Sequence, residues 1–278
     1  NYLKWKSNIN VCIYAGIGKD VSKGIEKSLE YNKTSHIKSI LRIPTSDHLQ
    51  RHAQKLGNNK GLSLFSKFVC VDETSATYLS SQFSANSIKV IHNGVDTNYY
   101  RPVKAFSARS KNILFAGRLA KRKNIHLLLN AAKALPAGYK LFIQGAVSYG
   151  EEPYHNKLMG QFSKMRNVHV ITPKWYNNEI FQESGIFILP SSAEGCSNSL
   201  LEAMSCELFC MTSDIKENRK ILSNVGKVFK QNEDSIVIAL NDILLDKQNF
   251  YKKVKKGRKI ILEKFSLSTM INEWDKLL

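Results

Sequence analysis

The sequence predicts an α/β protein built on doubly wound parallel sheets, and three observations carry that expectation. Short, continuous apolar runs recur along the chain, at residues 10–14, 37–43, 68–72 and 89–91, and again at 112–116, 140–144, 168–171, 186–189 and 209–212. Between them lie segments whose apolar residues repeat at helical spacing, such as 125–135 and 236–245. A chain of 278 residues, 43% of them hydrophobic, is also long enough to bury two modest cores. Strands that are apolar on both faces belong to parallel sheets covered by helices on each side.

The order of elements divides the chain. After the run at 89–91 comes HNGVDTNYYRPVKAFSARSK, which is rich in turn formers and has no clear period. Asn93-Gly94 is a strong turn signal, and Pro102 interrupts any continuing element. A domain boundary is therefore expected near 101–110. Residues 1–100 then form an N-terminal Rossmann-like domain that is short for its architecture, as if its start were missing. Residues 101–265 form a second Rossmann-like domain of ordinary size. The last thirty residues, with the basic run KKVKKGRK at 252–259 and then FSLSTMINEWDKLL, read as two helices, and 266–278 is expected to pack back toward the first domain.

Charge narrows the partners. Lys and Arg number 41 against 23 Asp and Glu, a formal balance of +18. Residues 101–150 hold ten basic side chains and no acidic one, and residues 1–67 hold twelve bases against four acids. Such a field concentrates anions: nucleotides, anionic lipid or nucleic acid. Of the bases, 32 are Lys and only nine are Arg, which speaks against a nucleic-acid reader that depends on bidentate Arg contacts. No apolar run approaches the roughly 20 residues of a bilayer span. The five cysteines (Cys12, Cys70, Cys196, Cys206, Cys210) include no C-x-x-C pair and suit reduced thiols in a cytosol better than a disulfide framework or a zinc site.

Ligands of open parallel sheets bind at the carboxyl ends of the strands, and two such ends carry unusual residues. In ILFAGRLAKRKN (113–124) a strand runs into Gly117 and Arg118, then a loop with Lys121, Arg122 and Lys123, then a helix expected to open near Asn124. Cations beside a helix start make a site for an anion such as a diphosphate, although a solvated basic loop fits the same residues. In IFILPSSAEGCSNSLLEAM (186–204), Glu194 lies in a small-residue loop, a helix is expected to begin near Ser199, and Glu202 follows in its first turn. The backbone of Gly195, Cys196, Ser197, Asn198 and Ser199 can approach a phosphate closely. Ser199-x-x-Glu202 also fits a capping box, in which the glutamate serves only the helix. Glu194 has no such packing role in view.

Together with KVIHNGVDTNYYRP (89–102), these segments resemble the family 4 retaining glycosyltransferases of GT-B fold, over residues 68–278. The resemblance implies transfer of a sugar from a nucleotide-diphosphate-sugar donor to a saccharide or lipid-linked saccharide, in cell-surface polysaccharide assembly. It implies that Arg118 and Lys123, beside Gly117, neutralise the donor diphosphate. Glu202 would hold the ribose hydroxyls and Glu194 would lie beside the donor sugar, with Gly195 to Ser199 giving backbone contacts. The loop at 173–176 would meet the base. Cys196, Glu207 and Leu208-Phe209, and Lys220 depart from the family pattern, and Cys196 reads as a small hydrophobe, not a nucleophile.

The N-terminal part is less legible. Gly16 and Gly18 of YAGIGKD lack the third glycine of a dinucleotide fingerprint. RIPTSDH (42–48) is the nearest match to a strand end where relatives place a sugar-contacting histidine, so Asp47 and His48 are candidates, with a surface role the alternative for His48. No D-x-D motif occurs, so neither a metal nor any other cofactor is expected. The basic segments suggest peripheral docking of a cytoplasmic protein on an anionic membrane face. Two rival classes remain, a catalytically silent GT-B-like subunit and a basic protein that binds nucleic acid or phospholipid.

Overall fold

The computed structural model describes residues 11–15, 28–30, 32–33, 36–45, 62–109, 111–172, 178–245 and 247–278. Two units emerge from the packing: residues 1–93 with 270–278, and residues 94–269. Asp47, His48, Gly16, Gly18 and the loop at 173–176 lie outside the described residues.

The first unit holds a four-stranded, all-parallel sheet in the order β1-β2-β3-β4, with β1 Val11–Tyr14, β2 Lys38–Ile43, β3 Lys67–Cys70 and β4 Ile88–Val90. One face is covered by Leu29, Leu62, Phe65 and Leu79, the last from helix α1 (Glu73–Ser80). Asp72 starts that helix by accepting from the Ser75 amide at 2.7 Å, an N-cap bond typically worth about 1 kcal/mol. The other face presents Ile40, Val69 and Ile91, and onto it pack Met270, Trp274 and Leu277 from the carboxyl terminus. Two-sided cover is what lets Ile40, Leu41 and Ile43 of β2 and Phe68, Val69 and Cys70 of β3 all be buried.

The second unit is built on a six-stranded parallel sheet in the order β10-β9-β8-β5-β6-β7. In chain order its elements are α2 Phe106–Arg109, β5 Asn112–Ala116, α3 Leu128–Lys133, β6 Lys140–Gln144, α4 Glu152–Phe162, β7 Val168–Ile171, α5 Glu179–Glu183, β8 Ile186–Leu189, α6 Asn198–Ser205, β9 Phe209–Ser213, α7 Lys216–Leu222, β10 Lys227–Phe229, α8 Glu233–Leu245 and α9 Lys247–Lys264, while the last helix, α10 Leu267–Asp275, falls mostly within the first unit. The α/β, parallel-sheet expectation holds for both units. Strand β8 is buried at every position, whereas the edge strand β7 is buried at none. Strand β10 escaped the sequence reading, since Lys-Val-Phe has no apolar run to announce it. Among the described residues no helix is long and apolar enough to cross a membrane.

The chain enters this sheet at β5, steps outward through β6 to β7, then returns so that β8 pairs with the opposite side of β5 before stepping out to β9 and β10. The order therefore reverses between β5 and β8. Crevices at such reversals, at the carboxyl strand ends, are where open α/β sheets take ligands.

Candidate functional site

Both segments singled out in the sequence leave the sheet at this reversal. Strand β5 leads into Gly117–Asn124 and its neighbour β8 into Pro190–Ser197, and the two loops are laced together. Ser192 donates to the Arg122 carbonyl from both its amide (2.8 Å) and its hydroxyl (3.1 Å). Arg122 Nη1 donates to the Ala193 carbonyl at 3.2 Å, and Asn124 Nδ2 to the Pro190 carbonyl at 3.1 Å.

The first loop differs from its expectation. No α-helix opens at Asn124; instead Lys121–Lys123 and Ile125–Leu127 form two 3₁₀ turns, with Asn124 left-handed between them (φ 49°), and α3 starts only at Leu128. Asparagine tolerates that conformation better than most residues. The turn aims Lys123 inward and leaves Lys121 exposed. Gly117, with φ at +153°, passes against Lys123, so that a Cβ there would lie 3.8 Å from Lys123 Cε and 4.0 Å from Nζ. A second glycine is needed beside it. A Cβ on Gly145, at the end of β6, would fall 2.0 Å from the Gly117 carbonyl oxygen, so only glycine allows the two strand ends to meet there.

Lys123 Nζ and Glu194 Oε1 form an ion pair, and both side chains are over nine-tenths buried (8% and 7% exposed). Burial pulls the Lys123 ammonium below its ordinary pKa, Glu194 pulls it back up, and the neighbouring Arg122 and Arg118 push it further down. Lys123 thus meets Glu194 directly at the mouth of the sheet, with Arg122 and the exposed Arg118 near enough to bear on its charge. Such a concentration of positive charge has room for one more anion.

Past Glu194 the chain runs through buried Gly195, Cys196 and Ser197 to exposed Asn198 and half-buried Ser199. Helix α6 begins at Asn198 with Ser197 as its N-cap, and no side chain caps it; the Ser197 and Ser199 hydroxyls bond each other at 3.3 Å. The amides of a helix's first turn have no intrahelical acceptors, so this uncapped start suits an anion. The capping-box expectation is thereby corrected. With the cap at Ser197, Glu202 sits in the second turn, about 6 Å along the axis from Asn198, beyond reach of the cap amide. All five cysteines are thiols, and burial of Cys196 fits its reading as a small hydrophobe.

Glu202 has another partner. Its carboxyl is hydrogen-bonded to the hydroxyl of Tyr100, in the segment that leads into the second unit's sheet. Burial pushes the Glu202 carboxyl up to about 7, and the Tyr100 bond draws it back down. Tyr100 lay within the quoted HNGVDTNYYRP stretch, but nothing in the sequence links it to a residue so far downstream. Gly117, Arg118, Lys123 and Glu194 thus come together, Gly195 to Ser199 continue from them, and Glu202 stands further along the same helix. Asp47 and His48 lie outside the described residues. Among the described residues no group of three or more His, Cys, Asp and Glu is placed to hold a metal ion.

Comparison with known proteins places this geometry in a family. Over 157 residues the chain is 29% identical to the O-antigen biosynthesis glycosyltransferase WbnH of Escherichia coli, a match over 55% of this chain and 44% of that one. It is also 29% identical over 170 residues to the UDP-Gal:alpha-D-GlcNAc-diphosphoundecaprenol alpha-1,3-galactosyltransferase of Escherichia coli, covering 56% of this chain and 42% of the relative. The matched region thus spans less than half the length of either relative. The fold superposes on Anabaena HepE in complex with UDP-glucose with a TM-score of 0.81, 16% identity, and coverage of 96% of this chain and 78% of that one. At that identity the likeness speaks to the fold, which is GT-B. Residues 96–260, which include both loops of the switch point, match the family described as glycosyl transferases group 1. More than half of the sequence lies in that span, and the chain belongs to the group 1 glycosyl transferases.

Proposed function

We propose that the protein transfers a hexose from a UDP-hexose donor, with retention of anomeric configuration, to a saccharide or lipid-linked saccharide in cell-surface polysaccharide assembly. The observation that carries this reading is the buried Lys123–Glu194 pair, flanked by Arg118, at the sheet's reversal point. The relatives supply the finer terms. WbnH is an O-antigen enzyme, and the galactosyltransferase is named for a UDP-sugar donor and a diphosphoundecaprenol-linked acceptor.

In this reading the donor's diphosphate lies over Gly117 and Gly195, countered by Lys123 and Arg118 and by the uncapped start of α6. As the bond from anomeric carbon to phosphate oxygen breaks, negative charge grows on the leaving group, where fixed cations stabilise it most. The acceptor hydroxyl forms its new bond on the face the leaving group vacates and passes its proton to the departing phosphate. Glu194, already paired with Lys123, orients the sugar and does not attack it. Glu202 accepts from the ribose hydroxyls. The cationic side chains do the work of a metal ion, in keeping with the lack of a D-x-D motif, so turnover should be indifferent to chelator.

Calorimetric titration with UDP, followed by transfer assays, tests this. Lys123→Ala and Arg118→Ala should each lower turnover about 100-fold, the usual cost of losing one preorganised group. Unchanged affinity and rate in both variants would remove the assignment. Peripheral docking on an anionic membrane belongs to the same reading. Helix α9 exposes Lys252, Lys253, Lys255, Lys256, Lys259 and Lys264, and each lysine near such a surface adds about 1 kcal/mol. Flotation with phosphatidylglycerol vesicles should fall steeply with salt.

A further inference from the structure

Tyr100 is anchored to helix α6 at both of its ends. Its hydroxyl bonds the Glu202 carboxyl. Its backbone carbonyl, at the other end of the residue, accepts from the Ser205 hydroxyl at 2.5 Å, one helical turn beyond. Arg258 of α9 reinforces that anchor, donating to the Tyr100 carbonyl (3.3 Å), to the Thr97 carbonyl (3.3 Å) and to the Ser205 carbonyl. The ring is clamped edge-on by Phe181, with centroids 5.4 Å apart, and by Tyr99 at 5.1 Å. The Tyr100 amide donates to the Asp96 carbonyl at 2.9 Å. A phenol held this firmly has little freedom to choose another partner. Its bond to Glu202 is therefore built in before any ligand arrives.

On the reading of Glu202 as the ribose contact, we infer that Tyr100 is a positioning residue for the donor: its hydroxyl fixes the rotamer of Glu202 and sustains that carboxylate's charge. A buried carboxyl resists ionisation, yet ribose hydroxyls, which donate, are best met by the ionised form. The phenol resolves that conflict by donating to the carboxylate from the protein side and leaving its remaining lone pairs for the sugar. Other groups around Glu202 do not compete in the neutral range. The Cys206 thiol on the same helix is pushed up to about 12, and the Cys210 thiol of β9 is raised well above its ordinary value. The Tyr100 phenol is itself pushed up, by burial first and then by Glu202, so it stays a donor throughout.

The test measures two things across pH 6 to 9 in wild type, Tyr100→Phe and Glu202→Gln. The first is the titration of the Glu202 carboxyl carbon by NMR without ligand, its signal assigned by its loss in Glu202→Gln. The second is affinity for UDP-glucose, whose diphosphate diester keeps a constant charge over this range. In wild type the carboxyl should titrate near pH 7, and affinity should tighten about tenfold from pH 6 to pH 8, following the ionised fraction. Tyr100→Phe keeps the ring contacts. It should move the carboxyl midpoint upward and weaken binding several-fold at pH 7, with wild-type affinity nearly recovered at pH 9. Glu202→Gln should bind weakly with a flat profile. An unmoved midpoint in Tyr100→Phe, or an affinity loss equal at every pH, overturns the inference, because a purely structural role gives the latter. A midpoint that moves while UDP-glucose fails to bind wild type at any pH instead sinks the ribose-contact reading and leaves the Tyr100–Glu202 coupling standing.

Discussion

Glu194 and Glu202 lie on one continuous loop-helix segment, with seven residues between them, and the protein gives them different partners. The Glu194 side chain is nearly sealed from solvent and faces a buried ammonium, that of Lys123, which has Arg118 and Arg122 near it. Glu202 is likewise withdrawn from solvent, but its partner is a phenol, and burial lifts it to about 7. Burial is common to the two carboxylates, and what differs is the partner each is given. At the loop end the protein supplies excess positive charge, as a diphosphate would require. At the helix end it supplies a carboxylate held near the point of ionisation, suited to neutral hydroxyl donors.

Breaking the loop end should have the largest effect. Glu194→Ala leaves the Lys123 ammonium buried without its counter-charge, and losing one member of a buried pair costs about 3–5 kcal/mol. Urea unfolding should show a loss of that order, and transfer activity should vanish. The double variant Lys123→Met/Glu194→Ala should recover most of the stability and none of the activity. A double variant no more stable than Glu194→Ala would mean that the pair is not the source of the loss. Gly145→Ala strikes the same region through the backbone. Its added methyl would meet the Gly117 carbonyl, and displacing that strand end should cost about 2 kcal/mol and weaken UDP affinity about tenfold through misplacement of Lys123.

The helix end should respond with the opposite sign in stability. A carboxyl raised from its ordinary 4.5 to about 7 is held more comfortably neutral when folded than when unfolded. The folded state therefore loses stability as pH rises through this window, at about 1.4 kcal/mol for each tenfold in the ionisation constant. Glu202→Gln removes that loss, so it should be more stable than wild type at pH 8 by about 1–3 kcal/mol and no more stable at pH 4. The gain should accompany weaker nucleotide binding, a common trade at functional sites. Equal stabilisation at both pH values would show that packing, not ionisation, separates the two proteins.

What the sequence disclosed follows the same division between local and distant causes. Strands β5, β6, β7 and β8 could be read residue by residue because each is a short, mostly apolar run bounded by turn formers. The parallel class followed from the rhythm of those runs. The start of α6 was misplaced by two residues, because Ser197 and Ser199 are equally good caps locally and only the fold chooses between them. The left-handed Asn124 and its paired 3₁₀ turns were hidden for a similar reason. Their geometry is set by the hydrogen bond from Asn124 to Pro190, 66 positions downstream. The ion pair of Lys123 with Glu194 is likewise a product of the β5–β8 adjacency, and the bond of Tyr100 to Glu202 depends on the packing of the 94–105 segment against α6. A single sequence shows the residues of such pairs but not that they meet.

The smallest expected effect sharpens the comparison most. Lys121 and Lys123 share one short turn and one formal charge, yet Lys121 is exposed and Lys123 buried. If the dense positive charge of residues 101–150 acts only as a diffuse field, Lys121→Ala and Lys123→Ala should weaken UDP binding alike, and both losses should fade in high salt. If placement governs, Lys121→Ala should change affinity less than about fivefold, since exposed charges contribute at most about 1 kcal/mol. Lys123→Ala should then exceed it by more than tenfold and keep that margin in 0.5 M salt, because a buried contact is poorly screened. Calorimetric titration of both variants at two salt concentrations separates the cases, and equal losses would return the loop to the status of a solvated basic turn.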